Sequence, residues 1–404
     1  MAPTIAVLAT LDTKGTEAAF VKHHIEALGG EAILIDMGLV GEPGTSPDVD
    51  REALIAAGGS SLEALLENPD RQEAAPILIA GATAILRDLI AEGRIGAVLG
   101  FGGTQGSSNC SAVMQALPYG FPKILLSTMA SGDTSSFVGI KDITMMFPVS
   151  DILGLNPLAR TILANAAACA WGMAQATVPL ERTESGRAVI AMTNLGVLTD
   201  GTMHALKRFE DAGHEVIVFH AVGSGGLAME QLMKEGHVQA VFDYGLGEIA
   251  DEVHGGLRAA NPERLTVAGQ LGLPQVIVPG GTEHIGLFTE PNVVPERFKN
   301  HQHTFHNPII FAPRLNAEEM CEVASSICER LQQTRGSAVM YLPLRSTSRY
   351  GAEGGPLRDP ESDAAFYAAL KEGLPDAVEV VDVDADAEDP AFVDLAVDRL
   401  LAML

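Results

Sequence analysis

Two segments of this 404-residue sequence gather the residue types that hold phosphate. The first, Thr10-Leu11-Asp12-Thr13-Lys14-Gly15-Thr16, follows an apolar run and opens a helical pattern. Lys14 offers a point charge, Thr10 and Thr13 hydroxyl donors, Asp12 a carboxylate, and Gly15 close approach of the backbone. The G-x-x-x-x-G-K-[ST] spacing of a phosphate-binding loop is absent, and a turn capped by Thr13 or Thr16 with Lys14 in solvent is the simpler reading. The second segment, Gly100-Phe101-Gly102-Gly103-Thr104-Gln105-Gly106-Ser107-Ser108, packs four glycines into seven positions and adds three hydroxyls. Converging N–H groups at a helix terminus would make an anion cradle of Gly102, Gly103, Thr104, Gly106 and Ser107; a tightly packed turn is the alternative. Asp36 ends the second apolar run, where dinucleotide-binding folds set an acid against ribose, although G-x-G-x-x-G is missing from the first turn. A third run, residues 127–134, supplies Ser131 and Asp133, the latter suited to orienting magnesium or a hydroxyl.

The second half holds further candidates. Residues 223–226 are Gly-Ser-Gly-Gly ahead of a helical pattern, another anion-friendly terminus. Asp243 and Glu248 follow a strand-like run and read as acid, base or metal groups, or as caps and solvated charges. Pro279-Gly280-Gly281-Thr282-Glu283-His284 follows another. Residues 301–306 concentrate three of the eleven histidines; alternation would put His301 and His303 on one side of a strand as a metal pair with Glu283 or His284, while a polar loop is the plainer alternative. Arg345 and Arg349, conspicuous in so acidic a chain, suit a carboxylate or phosphate, or pairing with nearby acids.

Positioning these groups requires a scaffold, and the sequence alternates short apolar runs with helical stretches. Strand-like runs fall at 4–9, 32–36, 95–99 and 124–127, then at 188–192, 216–219, 240–243, 276–278, 309–312, 338–342 and 378–381. This predicts an α/β fold of two Rossmann-like doubly wound parallel-sheet domains, 1–180 and 181–404, parted by the polar stretch 179–186 after an alanine-rich helix over 157–175. An amphipathic helix over 392–404 is expected to pack back across the domains. The four cysteines form no C-x-x-C pair and read as buried thiols. Fifty-two acidic residues against 26 basic ones give a net charge of −26, which disfavours nucleic acid and anionic membranes. No uninterrupted apolar run reaches the roughly 18 residues of a membrane span; the nearest, 158–180, is broken by Arg160, Asn165 and Gln175. With no basic, cleavable leader at the N-terminus, a cytoplasmic protein is expected, and a homodimer.

The segments Leu8-Ala9-Thr10-Leu11-Asp12-Thr13-Lys14-Gly15, Phe101-Gly102-Gly103-Thr104-Gln105-Gly106, Val197-Leu198-Thr199-Asp200-Gly201, His306-Asn307-Pro308 and Gly355-Pro356-Leu357-Arg358-Asp359-Pro360-Glu361 occur in the order in which they mark a known family. Across its whole length the chain resembles the Tm-one-like ATP-binding domain family, which takes its name from a plant virus-resistance protein. The resemblance implies two Rossmann-like domains and ATP as ligand; the antiviral role of the plant member is not implied. It departs at residues 384–390, where relatives often carry a histidine before Asp389-Pro390. The expectation is a protein that binds ATP with magnesium at the strand ends of the first domain. Lys14 and Gly102, Gly103 and Gly106 would hold phosphate there, and Asp36 would meet ribose. Two rival readings are an enzyme acting on a phosphorylated or carboxylated small molecule in a cleft between the domains, through Glu283, His284, His306, Arg345 and Arg349 with histidine as proton shuttle, and a purely interaction-based role.

Overall fold

A computed structural model describes residues 3–67, 71–176, 178, 180 and 187–404, so the polar stretch 179–186 lies, residue 180 apart, outside the described residues. The chain forms two compact units, Met1–Glu181 and Arg182–Leu404.

The first unit is built on five parallel strands, β1 (Thr4–Ala9), β2 (Glu31–Asp36), β3 (Ala97–Gly102), β4 (Lys123–Ser127) and β5 (Ile143–Met146), in the order β2-β1-β3-β4-β5. Central strands of a parallel sheet are covered on both faces, which is why β1 and β3 read as unbroken apolar runs. Ile5 and Val7 face the helices Leu11–Ala27 and Pro157–Ala176 in one buried cluster, while Ala6 and Leu8 face Arg71–Ala91 and Thr104–Gln115 in another. β5 is an edge strand, half-exposed, and its Ile-Thr-Met-Met carries too weak a pattern to be read beforehand. The longest apolar helix is also not the expected one. Glu73–Ala91 is long and apolar enough, by length and composition, to cross a membrane; Arg87 and Asp88 interrupt the run, and Ala74, Leu78, Ala82, Leu86 and Leu89 are buried in the core of this unit.

The second unit repeats the plan with six parallel strands, β6 (Val189–Asn194), β7 (Glu215–His220), β8 (Ala240–Gly245), β9 (Gln275–Gly280), β13 (Ala338–Pro343) and β14 (Val378–Val383), in the order β14-β13-β9-β8-β6-β7. Between β9 and β13 the chain makes a small antiparallel sheet from β10 (Leu287–Phe288), β11 (His303–Asn307) and β12 (Ile310–Pro313). The C-terminal helix, Pro390–Leu401, packs on the core of this unit, where Phe392, Val393, Ala396 and Leu400 bury with Ile190, Phe242 and Val278.

In each sheet the chain leaves its first strand toward one edge and returns to the other side, between β1 and β3 and between β6 and β8. Such switch points open a crevice at the carboxyl ends of the strands, where ligands of doubly wound folds bind.

Candidate functional site

The first crevice is assembled from short-range necessities. Helix Leu11–Ala27 starts directly after Thr10, so residues expected to form a loop already lie in its first turn. Thr13 and Lys14 donate their N–H groups to the Thr10 carbonyl at 3.1 and 2.8 Å. Lys14 leaves helical geometry (φ −126°), and Gly15 has no room for a side chain: a Cβ there would lie 2.7 Å from Gly44 Cα. The chain after β2 closes over this turn, with Gly44 N–H on the Leu11 carbonyl at 2.8 Å and Gly38 and Gly41 against Asp12. Asp36 secures the closure. Fully buried, its Oδ1 accepts from Leu11 N at 3.0 Å and Gly38 N at 2.9 Å, and its Oδ2 faces the Arg51 guanidinium at 3.2 Å. It holds backbone through Oδ1, and it lies outside the lining of the cavity described below.

The glycine segment also differs from expectation. β3 runs through Gly102 and the next helix starts at Thr104, leaving Gly103 alone as the connection and N-cap. Gly100 and Gly102 let strand and helix touch, since their Cβ atoms would lie 2.8 Å from Cys110 Cβ and 3.0 Å from Gly106 Cα. Buried Ser107 bonds Ser127 at 2.6 Å. No side chain caps the helix at Gly103, and the N–H groups of Thr104, Gln105 and Gly106 have no hydrogen-bond partner among the described residues. They belong, with Thr10, Asp12, Thr13 and Lys14, to the lining of one cavity of about 330 Å³, whose other wall is Leu39, Val40, Ala74, Ala75 and Leu78. Lys14 and Gly103, some ninety residues apart, thus share a cavity at the switch point. Ser131 is exposed and outside the lining, and Asp133 accepts from Ser135 N at 2.9 Å.

In the second unit several candidates are spent internally. Glu248 accepts from Gly223 N at 2.6 Å and Gly226 N at 3.1 Å, so the helix terminus at 223–226 already holds an anion from its own chain. Glu248 and Asp243 in turn grip the buried Arg264, at 2.7 Å and by a two-pronged contact of 2.5 and 2.7 Å. Neither is available as acid, base or ligand. Arg345 pairs with Asp384 at 3.0 Å, and Arg349 with Glu388 at 2.8 Å and Asp200 at 3.2 Å; both lie in this unit, and the first-unit cavity is lined without them. His301 precedes β11 and pairs with Glu319 at 3.1 Å, so the expected alternation with His303 does not occur. Among the described residues no group of three or more His, Cys, Asp or Glu is placed to hold a metal. Of the thiols, Cys110 and Cys328 are buried while Cys169 and Cys321 are half-buried; burial pushes the Cys110 thiol up to about 12.

Glu283, His284 and His306 do come together, within the second unit itself. Glu283 is fully buried and accepts from Thr347 Oγ1 at 2.5 Å, from Ser348 Oγ, and from His284 Nδ1 at 3.1 Å. Burial alone would raise its pKa; the His284 ring and the hydroxyls of Ser348 and Thr347 prevail and hold the carboxyl well below the usual range. His284 and His306 line a cavity of about 220 Å³ with His220, Arg258 and Tyr350, at the strand ends of this unit. Tyr350 and His220 escaped the sequence reading because a lone tyrosine and a lone histidine carry no spacing signal.

The comparisons with known proteins follow the same division of the chain. Residues 3–179 match the model described as "Uncharacterised protein family (UPF0261) N-terminal domain" and residues 187–404 that of the C-terminal domain. A UPF0261 protein of Clostridium tetani is 39% identical over 99% of this chain and 98% of its own, and one of Rhizobium meliloti 35% identical over 97% of each. The ToMV resistance protein Tm-1(GCR237) of Solanum lycopersicum is 31% identical over 69% of this chain, which amounts to 37% of the plant protein. With both halves matched, the chain belongs to the UPF0261 family.

Proposed function

We propose that the first unit is an ATP-binding module, with magnesium. The observation that carries this reading is the single cavity lined by Lys14 and Gly103 at the β1/β3 switch point. Its lining combines the two kinds of surface that a nucleotide needs. The lining includes Lys14 and the first helical turn at Thr104, Gln105 and Gly106, with its free N–H groups, donors suited to a polyphosphate. Leu39, Val40, Ala75 and Leu78 form an apolar wall suited to a purine face. Asp12 adds to the lining a half-exposed carboxylate without a hydrogen-bond partner for its side chain among the described residues, the hard oxygen donor that a magnesium ion bound with phosphate would require. The volume, about 330 Å³, falls at the small end of the roughly 300–1,000 Å³ range of small-molecule sites.

Isothermal titration with ATP and magnesium tests the reading. A Cβ at Gly103 would meet nothing within 4 Å and its φ is −77°, so the backbone there accepts a side chain, and Gly103→Val adds bulk at the cavity lining. Lys14→Ala removes a charge-assisted contact, a loss of about 1.5–3 kcal/mol. The double variant is expected to bind at least tenfold more weakly, and chelating magnesium to weaken the wild type. Equal affinity in wild type and double variant would remove ATP from this cavity.

A further inference from the structure

We propose that the second unit carries a separate proton-transfer site, with His284 as base and Tyr350, backed by His306, as acid, for a small uncharged carbonyl compound bearing an acidic C–H beside the carbonyl. The inference is independent of the nucleotide reading of the first unit. Three segments meet to make the site. The turn after β9 brings Glu283 and His284, the turn after β13 brings Thr347, Ser348 and Tyr350, and β11 brings His306. The first two turns are tied backbone to backbone, Gly281 N to the Thr347 carbonyl at 3.0 Å, with Gly281 at φ +68° where a side chain would be strained.

The tautomer of His284 follows from its partner. An ionised carboxylate only accepts, so the proton on His284 Nδ1 points at Glu283, 3.1 Å away, and Nε2 is the ring nitrogen left to take a proton from a substrate. Two further hydroxyl donors, from Thr347 and Ser348, keep the buried carboxylate ionised and in place. A buried charge is costly, and a buried carboxylate that orients an imidazole is the arrangement that positions a general base. Tyr350 sits with its ring 5.3 Å from that of His284 and its hydroxyl 3.3 Å from His306 Nδ1. Burial, with the Glu283 charge adding to it, raises the phenol above its ordinary value, so at neutral pH Tyr350 holds a proton to donate.

The walls select the substrate. Leu195, Val197, Val222, Leu257 and Ile310 are apolar, and the one guanidinium, Arg258, is held by Asp251 at 2.5 and 3.0 Å and by the His284 carbonyl at 3.2 Å. With its charge already neutralised by Asp251, Arg258 offers no unpaired cation to a carboxylate or phosphate, and about 220 Å³ admits only a small molecule. In the step proposed, the C–H bond beside the carbonyl breaks and its proton goes to His284 Nε2. The bonding pair becomes the C=C bond, the carbonyl π pair moves to oxygen, and that oxygen takes the Tyr350 proton, which His306 restores. While the enol stands, the proton taken up by His284 Nε2 exchanges with solvent water; the reverse transfers then restore the carbonyl compound with a solvent hydrogen at carbon, so the reaction is an exchange at carbon that needs no reactant besides water.

The test is deuterium exchange beside the carbonyl of cyclohexanone in D₂O, followed by proton NMR with the full-length chain. Wild type is expected to exchange at least tenfold faster than buffer containing an equal concentration of imidazole, His284→Gln to fall to that background, and Tyr350→Phe to lose tenfold or more. Glu283 is a positioning residue: Glu283→Gln should lower the rate and displace its pH profile, and Glu283→Asp should restore part of both, a pattern that a packing role alone would not produce. Should His284→Gln fail to fold by circular dichroism, Tyr350→Phe, which loses one hydroxyl, carries the decision. Wild-type exchange at the imidazole background, or Tyr350→Phe at the wild-type rate, would overturn the proposal.

Discussion

Arg264 presents one guanidinium to three buried carboxylates, Asp243, Glu248 and Glu230, the last at 3.5 Å. One positive charge cannot compensate three negative ones, and the most distant carboxyl bears the deficit. Burial pushes Glu230 up to about 7, and the Asp243 charge adds to this, against the pull of Arg264 and the N–H groups of Leu265 and Val267. A carboxyl whose folded pKa exceeds its unfolded 4.5 contributes stability that is complete below about 4.5 and is lost as pH rises to about 7. The loss is on the order of 3 kcal/mol. Denaturant unfolding at pH 5 and pH 7 should therefore show wild type less stable at the higher pH through this group. Glu230→Gln costs about 1 kcal/mol for the acceptor lost to Val267 N, yet flattens the slope; an unchanged slope would assign the titration elsewhere. The same cluster shows why single acids mislead in a sequence. Asp36, Asp243 and Glu248 stand where ligand-binding acids stand, but each is claimed by a partner 21 to 25 residues away, Leu11 N, Arg264 and Gly223 N respectively, and no local pattern announces those partners.

At the scale of elements, the walls of the first-unit cavity meet at one close approach, that of Gly15 to Gly44. Gly15→Ala puts a methyl 2.7 Å from Gly44 Cα, backbone that can yield only by moving the segment after β2 off the helix start. Overpacking of this kind costs about 1–3 kcal/mol, and because Leu39 and Val40 belong to that segment, ATP affinity should drop together with stability. Loss of stability at unchanged affinity would show that the segment does not shape the site. Most of the strands in both sheets were legible because burial on both faces makes an unbroken apolar run, and β1 is legible to the residue. β5 and β11 were not, for opposite reasons. β5 is an edge strand with a weak pattern, and β11, His-Thr-Phe-His-Asn, is largely exposed and polar, so that its place in the hairpin is set by pairing with Phe311 and Ala312. The two glycine-bearing segments read as loops in the sequence, because glycine and hydroxyl residues mark turns, yet both belong mostly to the strand and helix ends they join.

For the whole molecule, the division into two units can be tested by a reporter the sequence itself supplies. Trp171 is the single tryptophan, and it lies in the helix Pro157–Ala176 of the first unit. Two buried clusters are composed only of first-unit residues and two only of second-unit residues, so each unit has a core sufficient to unfold as its own cooperative step. Tryptophan fluorescence then follows the first unit while far-ultraviolet circular dichroism follows both. A ligand that binds only the native first unit stabilises that step by RT ln(1 + [L]/Kd), about 2.7 kcal/mol at a hundredfold excess over Kd. MgATP at that excess should displace the fluorescence transition and only the coincident part of the dichroism transition. If both probes instead move together by the same amount, the chain unfolds as one block and the nucleotide's effect is not confined to the unit that holds Lys14 and Gly103.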